Sequence, residues 1–188
     1  MHTIRSFIAI PLSPSVSRGA TRLIERLREA GDGIKWAPLD SLHLTLKFLG
    51  DVDNTEVPKI CQIIREICGQ FEPFELIFAG AGGFPNLEKP RVLYVGVEDP
   101  SGSLVDIVAQ METRLADLGF KPEPRDYTPH LTVGRAGKSR KAIAEVAEKL
   151  KTGRPIALGQ MDVNTVHLMA SFLDKTGPTY QVMDRIEL

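Results

Sequence analysis

The stretch His43-Leu44-Thr45-Leu46 recurs as His130-Leu131-Thr132-Val133 in a chain of 188 residues. Side chains alternate between the two faces of a β-strand, so in each copy the histidine and the threonine share one face. The two apolar residues share the other face, which can cover a core while the polar face lines a cleft. If the two strands face each other, two imidazoles and two hydroxyls converge on one ligand. The repeated unit therefore predicts two cleft-lining strands and a site for a phosphate ester.

The other two histidines do not repeat this unit. His2 is followed by Thr3 and Ile4, and His167 by Leu168 and Met169, so neither has a threonine two positions on. The alternative interpretation is two unrelated strands that each carry a surface histidine. For the threonines alone, the alternative is their ordinary preference for strands.

Composition and charge are ordinary for a soluble globular protein, with 43% hydrophobic and 25% charged residues. The formal net charge of −1 argues against a broad basic surface that coats nucleic acid, but it allows recognition of one RNA end. No stretch approaches the ~18–20 apolar residues that span a bilayer, and residues 4–12 lack a signal-peptide cleavage pattern. We therefore expect a cytoplasmic protein with no membrane contact. Cys61 and Cys68 lie two turns apart on one predicted helix, too far apart for a disulfide, which predicts buried free thiols.

Hydrophobic periodicity and turn residues predict alternating strands and helices. The predicted strands are Thr3–Leu12, Ile34–Ala37, Leu42–Leu49, Phe74–Ala79, Val92–Val97 and Thr128–Arg135, with further strands within Ile156–Leu173 and Tyr180–Leu188. The predicted helices are Ser15–Ala30 (followed by Gly31), Thr55–Cys68, Ser103–Leu118 and Arg140–Lys151. A loop, Gly80–Pro90, is predicted between the fourth and fifth strands.

The predicted order is β-α-β-β-α-β followed by β-α-β-α-β-β, with one histidine strand in each half. This pattern is typical of a loose duplication. We expect an α+β fold with two pseudo-symmetric lobes, one from each half, around a central cleft. Each lobe is expected to be an antiparallel sheet with outer helices, and residues 1–188 are expected to form a single bilobal domain.

Hydrolysis of a cyclic phosphodiester needs a base that takes a proton from water and an acid that protonates the departing ribose oxygen. Histidine can serve in either role near neutral pH, and two histidines on opposite sides of one phosphorus permit in-line displacement. Threonine hydroxyls can donate hydrogen bonds to the non-bridging oxygens. His43 and His130 are therefore the predicted catalytic residues, and Thr45 and Thr132 the predicted phosphate-binding residues.

Several stretches together resemble the RNA 2′,3′-cyclic phosphodiesterases of the two-histidine phosphoesterase superfamily, also called 2′-5′ RNA ligases (LigT-like). They cover nearly the whole chain: Ile4–Ile10, Lys35-Trp36, His43–Gly50, Arg91–Gly96 and Tyr127–Arg135. One departure is Val133-Gly134, where members more often carry Leu-Ala. The resemblance implies that His43 is the proton donor to the 3′ oxygen and His130 the acceptor of the water proton. It also implies a substrate-binding role for Arg135, which an ideal strand would point away from His130 unless Gly134 introduces a bulge.

Four aromatic residues are candidates to stack on a nucleobase: Phe7, Trp36, Phe48 and Tyr127. We expect one or two of them to touch a base and the others to be core. Arg5 and Lys47 could contact phosphate, although a solvated charge is the simpler interpretation for each.

Other chemistries have little support. The sequence lacks a phosphate-binding Gly-Lys loop, a cluster with zinc-ligand spacing and a nucleophilic serine elbow. We therefore expect no metal and no cofactor. The predicted function is metal-independent hydrolysis of RNA 2′,3′-cyclic phosphate ends to 2′-phosphomonoesters, with possible reverse 2′-5′ ligation. Two alternatives stay open: a two-histidine enzyme acting on small cyclic nucleotides or 2′-5′ oligoadenylate, and a non-catalytic RNA-end binding module. RNA termini are the expected partner, with no obligate protein partner and a monomeric state.

Overall fold

Strands and helices alternate along most of the chain in the computed structural model, which describes residues 2–29, 32–175 and 177–188. The strands are β1 (Thr3–Pro11), β2 (Lys35–Trp36), β3 (His43–Asp53), β4 (Phe74–Phe84), β5 (Val92–Glu98), β6 (His130–Arg135), β7 (Ala157–Val163), β8 (Thr165–Asp174) and β9 (Gly177–Glu187). The helices are α1 (Pro14–Leu27), α2 (Val57–Cys68), α3 (Ser103–Ala116) and α4 (Arg140–Thr152). A short 3-10 turn, Leu39–Ser41, precedes β3.

The strands form two antiparallel sheets. The first sheet has the order β3-β1-β8-β9, and the second has the order β2-β6-β5-β4-β7. Helices α2 and α3 pack against the first sheet, at β9 and β3, while α1 and α4 pack against the second sheet, at β7 and β4. The predicted fold class, α+β with two antiparallel sheets and outer helices, is confirmed.

The expectation that each half of the sequence forms one lobe is wrong. The first sheet takes β8 and β9 from the end of the chain, and the second sheet takes β2 and β4 from the first half. Strand β1 is central, with β3 on one side and β8 on the other. Its apolar residues Ile8 and Ile10 are buried. Because buried backbone N–H and C=O groups must be hydrogen-bonded, this strand needs a neighbouring strand along each edge. The C-terminal strands provide the second neighbour, and the two lobes are therefore interwoven.

Several predicted boundaries differ from the structure by a few residues, and for helix α2 the reason is local. Helix α2 begins at Val57 rather than at Thr55, because the backbone and hydroxyl of Thr55 both donate to the Asp53 carboxylate in a turn before the helix. The first helix ends at Leu27 within the described residues; its predicted end at Ala30 and Gly31 lies outside them. The cysteines Cys61 and Cys68 are free and buried in α2, and burial raises the pKa of each thiol to about 11.

The predicted loop Gly80–Pro90 is partly strand. Strand β4 continues past Ala79 to Phe84 and stays paired with β5. A register shift between Phe78 and Ala81 marks a bulge, and Gly80 within it has a φ of 77°. A glycine usually marks the end of a strand in a sequence pattern, but Gly80 lies at a bulge in β4, and the strand continues beyond it.

Candidate active site

The two histidine strands lie next to each other where the two sheets meet, because β3 and β6 are in contact. Leu44, Leu46, Leu131 and Val133 are no more than 4% exposed. The histidines and threonines between them are half-buried on the other face. The alternation predicted from the repeated unit is therefore present in both strands.

Both imidazole rings are held in the same way, by a hydrogen bond to a backbone carbonyl oxygen. The Nδ1 atom of His43 lies 2.8 Å from the carbonyl oxygen of Ser41, and Nδ1 of His130 lies 2.7 Å from the carbonyl oxygen of Thr128. A carbonyl oxygen only accepts, so Nδ1 carries the proton and donates in each ring. The carbonyls therefore fix each ring's orientation and leave Nε2 as the nitrogen that can exchange a proton with a ligand.

Aromatic rings flank each histidine. The centroid of the His43 ring lies 4.8 Å from that of Phe7 and 5.2 Å from that of Tyr180. The centroid of the His130 ring lies 4.8 Å from that of Phe84 and 5.3 Å from that of Tyr94. The sequence predictions missed Phe84, Tyr94 and Tyr180 as site residues. Tyr94 lies within one of the stretches that carry the family resemblance, which was the available signal.

Burial lowers the pKa of both histidines below the ordinary value of 6.5, because a low-dielectric surrounding disfavours the charged imidazolium. The hydrogen bond to the carbonyl acts in the opposite direction in each case. The positive charge of Arg135 lowers the pKa of His130 further, and no such cation among the described residues acts on His43. The two imidazoles are thus equivalent in geometry but different in electrostatics.

A bulge in β6 returns Arg135 to the face of His130. Gly134 pairs with Leu93 and Thr132 pairs with Tyr94, which leaves Val133 as an extra residue. One extra residue shifts the alternation by one position, so Arg135 and Thr132 lie on the same face. The charge of Arg135 also lowers the pKa of Tyr180, whose net shift is upward because of burial. Arg135 is therefore close enough to act on His130 and on Tyr180, the tyrosine that contacts His43.

An equivalent bulge in β3 has a different result. Ala9 pairs with Thr45 and Ile8 with Lys47, so Leu46 is the extra residue. Phe48 then occupies the position in β3 that Arg135 occupies in β6, five residues after the histidine, and it is 63% exposed. The two histidine strands therefore differ at this position, where β3 has an aromatic ring and β6 has a cation.

Lys47 is turned away from the cleft, and both sequence interpretations of it are wrong. Its side chain is 3% exposed, and Nζ lies 2.7 Å from Oε2 of Glu112 in α3. Nζ also donates to the carbonyl oxygen of Lys121 at 3.1 Å. The bulge at Leu46 is the reason, because it places Lys47 on the helix-covered face. Arg5 is exposed on β1.

The other three aromatic candidates are engaged within the protein. Phe7 is 3% exposed and lies against His43. Trp36 is half-buried in β2, and its Nε1 donates to Asp32 Oδ2 at 3.0 Å. The Tyr127 hydroxyl donates to the carbonyl oxygen of Thr45 at 3.1 Å, and burial raises its pKa. This hydrogen bond joins the segment before β6 to the histidine strand β3.

Gly82 makes room for Tyr94, which flanks His130. The two residues are paired across β4 and β5, and a Cβ at position 82 would overlap the Tyr94 ring. The Tyr94 ring therefore lies against the backbone of β4 at Gly82, with its centroid 4.6 Å from that of Phe84.

Metal-ligand clusters and membrane-spanning helices are both absent from the part of the chain that the structure describes. Among residues 2–29, 32–175 and 177–188 there is no group of three or more His, Cys, Asp or Glu side chains that could hold a metal ion. Within the same ranges, no helix is long and apolar enough to cross a membrane.

Comparison with known proteins gives a consistent result. Residues 14–172 match the 2′-5′ RNA ligase superfamily. A Methanothermobacter thermautotrophicus protein named RNA 2′,3′-cyclic phosphodiesterase is 35% identical, with 98% of this chain and 99% of the relative covered. An Aquifex aeolicus protein of the same name is 29% identical, with 100% and 99% covered. A solved structure from Thermus thermophilus has the same fold, with a TM-score of 0.82 and 24% identity over 98% of each chain.

Two antiparallel sheets that meet at two His-x-Thr strands define the class, and the protein is an enzyme of the two-histidine phosphoesterase type. Because the family match spans most of the sequence, the chain belongs to the 2′-5′ RNA ligase superfamily.

Proposed function

We propose that the protein hydrolyses RNA ends that carry a 2′,3′-cyclic phosphate, leaving a 2′-phosphomonoester, without a metal ion. The observation that carries the proposal is the matched pair of imidazoles. Each donates through Nδ1 to a backbone carbonyl, so each has Nε2 free for proton transfer. A module that only binds phosphate has no need of two titratable groups held in this equivalent way.

In the proposed mechanism, neutral His130 takes the proton of a water that attacks the phosphorus, and protonated His43 gives a proton to the departing 3′ oxygen. The charge of Arg135 supports this assignment, because it favours the neutral form of His130 and has no such effect on His43. Each proton transfer contributes roughly 10²–10⁴ in rate. When the 5′-hydroxyl of a second RNA attacks the phosphorus in place of water, His130 takes its proton and His43 protonates the departing 3′ oxygen, which joins the two RNAs through a 2′-5′ bond.

Thr45 and Thr132 are proposed to donate to the non-bridging oxygens, since each lies two residues from its histidine on the same half-buried face. Arg135, exposed and on that face, is proposed to bind a phosphate oxygen. Phe48 is the most exposed of the four aromatic candidates and is the proposed stacking partner for a base. Phe7, Trp36 and Tyr127 are proposed to support the site from within the protein.

The names of the relatives from Methanothermobacter and Aquifex support RNA as the substrate class. The proposal also includes a monomeric enzyme in the cytoplasm, where buried thiols such as Cys61 and Cys68 stay reduced.

The test is a short RNA with a 2′,3′-cyclic phosphate end, incubated with the purified protein in EDTA. We expect undiminished turnover and a product with its phosphate on the 2′ oxygen, identified by phosphorus NMR against 2′- and 3′-phosphate standards. Abolition by EDTA with rescue by a divalent ion contradicts the metal-free mechanism, and a pure 3′-phosphate product contradicts the assigned roles. Binding without turnover supports the RNA-end binding module, and faster turnover of small cyclic nucleotides or 2′-5′ oligoadenylate supports the alternative enzyme.

We expect kcat/KM for the RNA to depend on pH as a bell with its maximum below about 6.5, the unperturbed pKa of histidine. As the pH falls through the pKa of His130, the base becomes protonated and the rate falls. As the pH rises through the pKa of His43, the acid loses its proton and the rate falls again. Both limbs shift to lower pH because burial lowers both pKa values. A rate profile over the acidic, neutral and mildly alkaline range checks this, and a maximum on the alkaline side of neutrality is the contrary result.

A further inference from the structure

A second pocket lies beside the candidate active site at one end of the second sheet. It has a volume of about 660 Å³, within the range of ordinary ligand pockets. Its wall consists of the loop between β4 and β5, the first turns of α4 and Arg125 from the segment before β6. Arg91 and Val92 of the lining belong to a stretch that carries the family resemblance, but neither the resemblance nor the proposed mechanism gives the pocket a role.

The pocket is strongly cationic although the whole chain has a formal charge of −1. Its lining contains four exposed basic side chains: Lys89, Arg91, Arg125 and Arg140. Among the ion pairs of the described ranges, none involves any of these four. Its one acidic residue, Glu88, lies 3.3 Å from Nζ of Lys151, which offsets its charge. Four such cations around one concavity indicate an anionic ligand.

The pocket is separated from His130 by a single aromatic ring. Phe84 lines the pocket, and its ring centroid lies 4.8 Å from that of His130. Val92, which also lines the pocket, pairs with Phe84 on one side and with Arg135 on the other. Directly paired residues point to the same face, so Arg135, Val92 and Phe84 form a row that leads from the histidines to the pocket.

We propose that this cationic pocket binds the phosphodiester backbone of the nucleotides that precede the cyclic end, so that the enzyme prefers RNA chains to cyclic mononucleotides. The proposal rests on the proposed function, because it assumes that the reacting phosphate lies between His43 and His130. A chain that enters along the row from Arg135 presents one phosphate per nucleotide. Four cations around one pocket match a series of phosphates better than they match one small anion.

The pocket and the histidine site contribute separately to substrate binding. A mononucleotide with a 2′,3′-cyclic phosphate fills only the histidine site and does not reach the pocket. An oligonucleotide fills both, so the pocket cations lower its KM and make its binding salt-dependent. For single-stranded nucleic acid, each neutralised phosphate makes the slope of log affinity against log salt concentration more negative by about 0.7.

The experiment compares the wild type with the triple variant Arg91→Gln, Arg125→Gln and Arg140→Gln. The matched control is Arg18→Gln, Arg22→Gln and Arg26→Gln on α1, which removes the same charge outside the pocket. The substrates are 2′,3′-cyclic CMP and a short RNA oligonucleotide with a 2′,3′-cyclic phosphate. Each is assayed over a series of KCl concentrations from low to above physiological.

We expect the pocket variant to raise the KM of the oligonucleotide at least about tenfold at low salt and to flatten the salt dependence of that KM. Turnover of 2′,3′-cyclic CMP and all parameters of the control variant should stay within about twofold of the wild type.

The other outcomes overturn the proposal in distinguishable ways. An unchanged KM and salt slope for the oligonucleotide shows that the pocket does not bind the chain. An equal loss in the control variant shows that net charge, and not the pocket, is responsible. If inorganic phosphate changes 2′,3′-cyclic CMP turnover in the wild type but not in the pocket variant, the pocket binds a free anion. Absence of turnover of both substrates by the wild type refutes the proposed function itself.

Discussion

His43→Ala and His130→Ala are each expected to reduce the turnover of cyclic-phosphate RNA by roughly 10²–10⁴, the usual range for removing a positioned acid or base. Neither substitution removes a buried apolar group, because both rings are half-buried on the cleft face. We therefore expect the free energy of unfolding to change by no more than about 1 kcal/mol. Single-turnover kinetics and urea unfolding of each variant measure the two quantities separately.

The double variant distinguishes two cooperating residues from two independent ones. Because both imidazoles act on one displacement, its loss should be far smaller than the product of the two single losses. Multiplicative losses would contradict a shared step.

His167→Ala is the control within the same sheet. Strand pairing places His167 next to Ala9, which in turn pairs with Thr45, so it lies two strands away from the histidine strand. It is 8% exposed, and its Nε2 lies 3.4 Å from the Thr165 hydroxyl. The variant is expected to lose stability but to turn over normally per folded molecule. A loss as large as that of His43→Ala, with unchanged thermal stability, would contradict the two-histidine interpretation.

The second large effect concerns stability. Lys47→Ala should lower the free energy of unfolding by about 2–3 kcal/mol, the upper part of the range for leaving buried acceptors without their donor. The loss leaves Glu112, whose side chain is 22% exposed, and the carbonyl oxygen of Lys121 without their shared donor. Urea unfolding at neutral pH measures the change.

The matched variant for this ion pair is the double substitution Lys47→Met with Glu112→Gln. It removes both charges and keeps similar volumes, so it should recover part of the stability that Lys47→Ala loses. A Lys47→Ala variant within about 1 kcal/mol of the wild type would show that the ion pair contributes little. A double variant as unstable as Lys47→Ala would show that the lost ion pair itself, and not the carboxylate left without its cation, causes the loss.

Local sequence determined most of the elements of this protein, because period-2 and helical patterns are properties of short segments. The alternation in His43–Leu46 and His130–Val133 was sufficient to predict which residues are buried and which are half-buried on the opposite face. The bulge after Thr132, inferred from Gly134, is also present, and it returns Arg135 to the face of His130. The catalytic roles of these residues stay predictions.

The partners of each strand and histidine were decided only by the tertiary structure. Sequence could not show that β8 and β9 complete the first sheet, since strand pairing depends on contacts between segments far apart in the chain. Nor could it show that Lys47 turns inward, because Leu46 carries no sign of the bulge that redirects its neighbour. The rings of Tyr180, Tyr94 and Phe84 reach the histidines from separate strands. Residue type and spacing thus determined the side-chain alternation in the two repeated units. The packing of the two sheets determined the neighbours of each histidine, because strand pairing, burial and the charges near a side chain depend on segments that are distant in the sequence.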